Sequence, residues 1–117
     1  FIDEARSGVA RLRDTDGVNL VMLPEERYEV LTELGRWTQR YLAVDRALRT
    51  PTAKRRPADF GDLTWLRVFD EDDLAEFRRE FDEALHISVA EQALAPLRQT
   101  VQAWRTTAAS LDASDSR

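Results

Sequence analysis

The chain has 117 residues, of which 43% are hydrophobic, and it carries a formal net charge of −5 at pH 7. This length suits one domain, or a small domain with an extension, and the hydrophobic fraction is enough for a small core. The lack of cysteine excludes disulfides, thiol catalysis and cysteine metal sites, and it favours a cytoplasmic protein. No apolar run has the length of a membrane-spanning helix, and the acidic charge disfavours non-specific coating of nucleic acid.

The first third of the chain predicts a β-hairpin between two helices. Gly8 is typical of a helix end, because glycine readily takes the left-handed conformation that closes many helices. Residues 9–13 and 18–23 are β-prone runs, and the Asp-Gly pair that ends at Gly17 supplies the positive φ angle of a tight turn. Pro24 then opens the next helix at a position where its missing N–H is not needed.

Residues 24–49 predict one long helix with a narrow apolar stripe. The stripe repeats at spacings of four and three, the pattern that buries one side of a helix against another helix. Its members are Val30, Leu34, Trp37, Tyr41, Val44 and Leu48. Two interpretations stay open: the stripe packs within its own domain, or it is the seam of a homodimer. Gly35 weakens the helix by up to about 1 kcal/mol relative to alanine, and it would let another backbone approach.

A linker is predicted at residues 50–62, because two prolines, a glycine and a short basic run interrupt the helical pattern. The apolar residues 63–69 alternate in a way that is typical of a strand, or of an extended segment lying in a groove. We interpret the acidic run at residues 70–73 as the start of a helix rather than a metal site. Acidic side chains there bind free N–H groups, and the spacing of a calcium loop is absent.

Two further helices are predicted at residues 71–86 and 95–111, with residues 87–95 ambiguous and residues 113–117 frayed. Large apolar side chains are concentrated between residues 63 and 112, so we predict that this region binds a partner. The predicted contacts are Trp65, Leu66, Phe69, Phe77, Phe81 and Trp104, of which Trp65 and Phe69 are the strongest candidates. The alternative is that these side chains form the core of their own half of the chain.

The sequence contains little that indicates an enzyme. His86 is the single histidine, and no convincing nucleophile motif accompanies it to make a catalytic triad. The sequence also lacks a glycine-rich phosphate loop and a cluster of metal ligands. We therefore expect a binding protein that is not an enzyme and has no metal site and no cofactor.

Three motifs of the first third resemble those of the Phd/YefM family of type II antitoxins. They are the helix end FIDEARSG at residues 1–8, the Asp-Gly turn between two strands, and LPEERYEVL at residues 23–31. The resemblance implies that residues 1–49 form a dimerisation unit. It also implies that this unit binds operator DNA together with a family segment expected to precede residue 1, so the DNA contacts carry over only in part.

For this chain the resemblance implies an antitoxin that neutralises a cognate toxin and represses its own operon. The acidic charge suits a basic toxin, since complementary fields speed encounter. The candidates for contact with operator phosphates are Arg6, Arg11 and Arg13. The alternative is that these arginines are ordinary surface charges. The alternative is a helical dimerisation or adaptor protein with no toxin, while an enzyme fragment is disfavoured. The predicted fold is α+β: a hairpin/helix unit of Phd/YefM type at residues 1–49, a linker, and a mainly helical half at residues 63–112.

Overall fold

A computed structural model describes residues 9–115 of the chain, and for residue 115 the backbone alone. Within this range the fold is α+β, as the sequence predicts: an antiparallel hairpin comes first and three α-helices follow. The strands are β1 (Ala10–Arg13) and β2 (Asn19–Met22), and the helices are α1 (Glu25–Arg49), α2 (Glu71–Glu91) and α3 (Ala95–Asp115). Three short 3-10 helices, Thr52–Lys54, Pro57–Phe60 and Thr64–Val68, join α1 to α2. The helix end predicted at residues 1–8 lies outside the described residues.

The hairpin has the turn that the Asp-Gly pair predicts. Gly17 has a φ of 83°, a conformation that glycine adopts without steric cost. The carboxylate of Asp14 accepts hydrogen bonds from the N–H groups of Asp16 and Val18, at 2.9 and 3.1 Å. The turn is therefore stabilised by its own side chain as well as by glycine, and the predicted antiparallel pairing is confirmed.

Helix α1 packs its predicted stripe onto α2. Acidic residues in its first turn and arginines in its last turn oppose the helix dipole. Leu34 and Val44 are buried, and the rings of Trp37 and Tyr41 meet the Phe81 ring edge-on, with centroids 6.0 and 5.5 Å apart. The stripe therefore serves the interior of a single chain, which is the first of the two interpretations given above.

The strand or extended segment predicted after the linker is wrong. This part of the chain forms the 3-10 helix Thr64–Val68 instead. Phe60, Leu63, Leu66 and Phe69 follow one another at intervals of three, and all four are buried. A 3-10 helix has three residues per turn, so this spacing puts one apolar edge against the core. The alternation of apolar and polar residues in the same segment is incidental.

Residues 50–62, predicted as a linker, are packed against both of the helices that they join. The side chain of Arg55 is buried and donates hydrogen bonds to two carbonyls at the end of α1. Its Nε atom lies 2.8 Å from the oxygen of Ala47, and its Nη2 atom lies 3.1 Å from the oxygen of Thr50. The same guanidinium pairs with Glu71 in the first turn of α2. One side chain thus fixes the end of α1 to the start of α2.

Both C-terminal helices are longer than predicted. The carboxylate of Asp70 accepts the N–H of Asp73 at 2.8 Å, so the capping interpretation of the acidic run is confirmed. The ambiguous residues 87–91 complete α2, which ends where Gln92 takes the left-handed conformation with a φ of 50°. Residues 113–115, predicted to be frayed, continue α3 as a helix.

Helices α2 and α3 form a helical hairpin that is closed by a buried serine. Ser88 of α2 is fully buried, and its hydroxyl accepts the N–H of Leu97 in the first turn of α3 at 3.1 Å. This bond satisfies an N–H that has no partner within α3. The core lies between α1, the 3-10 segment and this hairpin. Its most deeply buried side chains include Val44, Leu66, Leu74, Phe77, Phe81 and Leu97.

Candidate interaction surfaces

One side of the β-hairpin is entirely apolar. The strand register sets Leu12 opposite Leu20 and Ala10 opposite Met22. Because side chains alternate along a strand, these four residues share one side of the hairpin, which we call the apolar face. Ala10 is fully buried within the chain, whereas Leu12, Leu20 and Met22 are each between 41% and 47% exposed. An isolated two-stranded hairpin is at best marginally stable in water, so the exposed part of this face would gain from a covering surface.

The apolar face continues onto α1. Leu12, Leu20 and Met22 line a recess together with Tyr28, one turn into the helix. Tyr28 begins a series at spacings of three and four, which we call the second stripe: Tyr28, Leu31, Gly35, Thr38 and Leu42. Its three large side chains are 44% to 59% exposed. Helix α1 therefore has one stripe buried in the core and another that faces water.

Two members of the second stripe suit close contact with another backbone. Apart from its chain neighbours and the nearby backbone of its own helix, the described residues place no atom within 4 Å of where a Cβ of Gly35 would be. The hydroxyl of Thr38 donates to the carbonyl of Leu34 at 2.8 Å, so it needs no external partner. Sequence reasoning overlooked this stripe, because a glycine and a threonine break its hydrophobic appearance. The repeat of three and four residues between its members was nevertheless present in the sequence.

The structure assigns most of the predicted dimer seam to the core. Leu34 and Val44 are buried, and Trp37, Tyr41 and Leu48 are half-buried and packed against the core cluster. The sixth residue, Val30, is half-buried and lines a shallow recess with Leu94. Little of this seam is therefore left exposed for a second copy.

The predicted partner contacts are also mainly core residues. Leu66, Phe69, Phe77 and Phe81 are buried, whereas Trp65 and Trp104 are half-buried. The rings form an edge-to-face network with centroid separations between 5.3 and 5.7 Å. This is the alternative in which the aromatic side chains build the core of their own half. Trp65 and Phe69 were predicted to lie on an extended segment, but they make edge-to-face contacts with Phe77 and Trp104 respectively.

A groove between α2 and α3 keeps part of this network accessible. Phe69 and Trp104 line it, together with Leu111, which is partly exposed. Asp73 and Glu80 of α2 also line the groove, and no basic residue does. The groove thus combines an apolar floor with acidic side chains.

The start of α2 carries concentrated negative charge. Desolvation raises the pKa of Asp73, and the neighbouring carboxylates of Asp70 and Asp72 raise it further. One turn later, a hydrogen bond from Arg79 lowers the pKa of Glu76. A carboxylate whose ionisation is opposed by like charges favours the approach of a cation. This end of the groove is therefore suited to a basic partner.

The predicted DNA contacts lie on the other side of the hairpin. Arg11 and Arg13 are exposed on β1, and their cross-strand neighbours are the uncharged Val21 and Asn19. Arg6 lies outside the described residues. The structure thus brings two of the three arginines together on a face separate from the apolar one.

Residues 9–115 offer neither a cluster of metal ligands nor a helix suited to span a membrane. In that range, histidine, aspartate and glutamate side chains nowhere gather in a group able to hold a metal ion. No helix in the same range is both long and apolar enough to cross a membrane.

Comparison of the protein with family models, with curated proteins and with solved structures finds no match. The resemblance to the Phd/YefM antitoxins therefore rests on the motif residues of the first third.

Proposed function

We propose that this protein is a non-catalytic antitoxin of the Phd/YefM type, which acts as a homodimer and neutralises a basic toxin. The observation that carries the proposal is the apolar surface formed by the hairpin face and the second stripe of α1. Contiguous exposed apolar surface of this kind marks interaction sites on soluble proteins. A second copy would cover it and give the hairpin the support that a two-stranded sheet lacks.

The groove between α2 and α3 is the surface that we assign to the toxin. Its floor of Phe69 and Trp104 offers aromatic contact area, and aromatic residues are enriched among those that dominate interface energetics. Asp73 and Glu80 add charge that steers a basic partner towards the floor. Repression of the operon would use Arg11 and Arg13, which lie away from both the dimer surface and the groove.

Self-association is tested by light scattering on the full chain at tens of micromolar, the range of a weak dimer. We expect a dimer for the unmodified chain and a monomer for Leu20→Glu, because a carboxylate on the apolar face would be buried without a partner. Asn19→Glu is the matched control, because Asn19 is exposed on the opposite side of the hairpin and does not line the recess beside Tyr28. A monomeric unmodified chain would refute the dimer.

Toxin binding separates the antitoxin from the alternative, a helical adaptor protein with no toxin. Co-expression with the product of an adjacent gene that arrests growth should restore growth. Asp73→Asn combined with Glu80→Gln should weaken the complex about tenfold, because both charges line the groove. Asp16→Asn with Glu91→Gln removes the same charge elsewhere and should leave binding unchanged. If no adjacent gene product is toxic or bound, the adaptor function is favoured.

A further inference from the structure

We propose that the groove between α2 and α3 receives an amphipathic helix of a partner protein, whose basic residues recur every seven positions along one side. This inference deepens the proposed function and rests on it in taking the partner to be basic. In this arrangement the chain supplies a preformed groove, and the partner supplies the helix that lies in it.

The two walls of the groove have the same length. On α2, Asp73 and Glu80 line the groove seven residues apart, and on α3 Trp104 and Leu111 line it at the same separation. Seven residues make about two turns of an α-helix, or about 10 Å along its axis. A helix lying along the groove can therefore meet both walls with side chains that also recur every seven residues.

An extended segment would not match these walls. In a strand, residues about 10 Å apart are separated by three positions, and their side chains point to opposite sides. Two such side chains cannot both reach the acidic wall, whereas helical residues seven apart share one side. The groove also runs between two helices, which is the setting in which proteins bind an amphipathic helix.

The carboxylates of the acidic wall are available to a partner. Neither Asp73 nor Glu80 forms an ion pair with another described residue, and no basic side chain of the described chain lines the groove. By contrast, Glu76 and Glu83 of the same helix both pair with Arg79, and none of these three lines the groove. Charges at the rim of an interface contribute mainly to encounter rate and specificity. This wall therefore selects a basic helix and orients its basic side.

The floor of the groove supplies the apolar contact area. The ring of Trp104 is half-buried and is held edge-on by the rings of Phe69 and Phe77, whose centroids lie 5.3 and 5.5 Å away. A ring that is already fixed loses little conformational freedom when a partner covers it. Leu111 is 39% exposed and extends the floor, so two apolar side chains of the partner have a place to pack.

Small side chains on α3 leave room for another helix. Ala103 and Thr107 line the groove about one turn apart, and neither projects far from the backbone. The hydroxyl of Thr107 donates to the carbonyl of Ala103 at 3.1 Å, so it keeps a partner when water is excluded. A third helix can therefore approach α3 to the usual distance of about 8–10 Å between helix axes.

Binding of synthetic peptides to the full chain tests the helix and its spacing. The probe is a labelled peptide of about 18 residues, long enough to form a helix, with two arginines seven positions apart and two leucines seven positions apart beside them. In fluorescence anisotropy it should bind about tenfold more tightly than a peptide of the same composition whose arginines are five positions apart, on different sides of the helix. Equal binding of the two peptides would indicate unspecific charge attraction and overturn the inference.

Substitutions in the groove test where the peptide binds. Ala103→Arg puts a long basic side chain into the groove and should weaken binding about tenfold or more, because it fills the space and repels the peptide. Ala109→Arg is the matched control, since Ala109 is exposed on α3 and does not line the groove. If circular dichroism shows that Ala103→Arg does not fold, Asp73→Asn with Glu80→Gln gives the same test through the acidic wall. Unchanged affinity in the folded groove variants would refute the site.

The same variants separate this inference from the proposed function. If Ala103→Arg neutralises a toxic partner as well as the unmodified chain does, the antitoxin function stands and the groove is not its binding site. If no adjacent gene product is toxic, the antitoxin function fails, and binding of the peptide that depends on its spacing still supports the helix. If Ala103→Arg converts a dimer into a monomer in light scattering, a second copy occupies the groove and the inference is wrong.

Discussion

Arg55 shows how one side chain can determine the connection between two helices. Its guanidinium donates to the carbonyls of Ala47 and Thr50 at the end of α1, and it also pairs with Glu71 at the start of α2. The sequence places Arg55 in a basic run that looks solvated. Its role depends on where α1 ends relative to α2, and no local pattern contains that information.

Replacing Arg55 therefore tests this connection. Arg55→Ala should lower the free energy of unfolding by about 2–3 kcal/mol, the scale of hydrogen bonds to a charged group that is lost from a buried position. Arg56→Ala is the control, because that side chain is 80% exposed and should change stability by less than about 0.5 kcal/mol. Chemical denaturation of both variants measures the difference. Equal stability of the two would show that the buried contacts of Arg55 contribute little.

The same pair adds a pH dependence to this prediction. A hydrogen bond from Arg55 lowers the pKa of Glu71 below its ordinary value of 4.5 in the folded state. A carboxyl group whose pKa is lowered by folding stabilises the protein above its unfolded pKa, and that contribution is lost as the pH falls through the folded value. The difference between Arg55→Ala and the unmodified chain should therefore shrink below about pH 4.5. Because the Glu71 carboxylate is more than half exposed, solvent screening keeps this part of the effect small.

At the level of elements, the sequence predicts best what is determined locally. The hairpin follows from Gly17 between two β-prone runs, and the start of α2 follows from Asp70. The 3-10 helix after Gly61 was missed, although its period of three from Phe60 to Phe69 was readable. The end of α2 and the start of α3 were unclear because they depend on a contact between the two helices.

Ser88 provides the test at this scale. Ser88→Ala should destabilise the protein by about 1 kcal/mol, the usual cost of losing a side chain that caps a helix N-terminus. Here the cap comes from another helix, and the N–H of Leu97 would be left buried without a partner. Ser110→Ala, on the exposed side of α3, should leave the unfolding midpoint nearly unchanged. If the two variants denature together, the buried hydrogen bond does not stabilise the hairpin of helices.

At the level of the whole molecule, α1 belongs to both halves of the chain. The heptad pattern correctly predicted a stripe that buries against another helix, but it left open whether that helix is in the same chain. The core needed the aromatic side chains that the sequence analysis assigned to a partner, because without them α2 and α3 would have little to pack against. The groove is what remains after the core is built, and so it becomes visible only in three dimensions, whereas the spacing of the second stripe was readable in the sequence.

Because the hairpin is exposed, its folding should depend on the concentration of the protein. In the proposed dimer, the two-stranded sheet would become stable only when a second copy covers it, so its folded fraction would rise with protein concentration. The helical core has no such dependence, because its contacts lie within one chain. At low concentration, the helical core would thus be folded while the hairpin is still unfolded and accessible to other proteins.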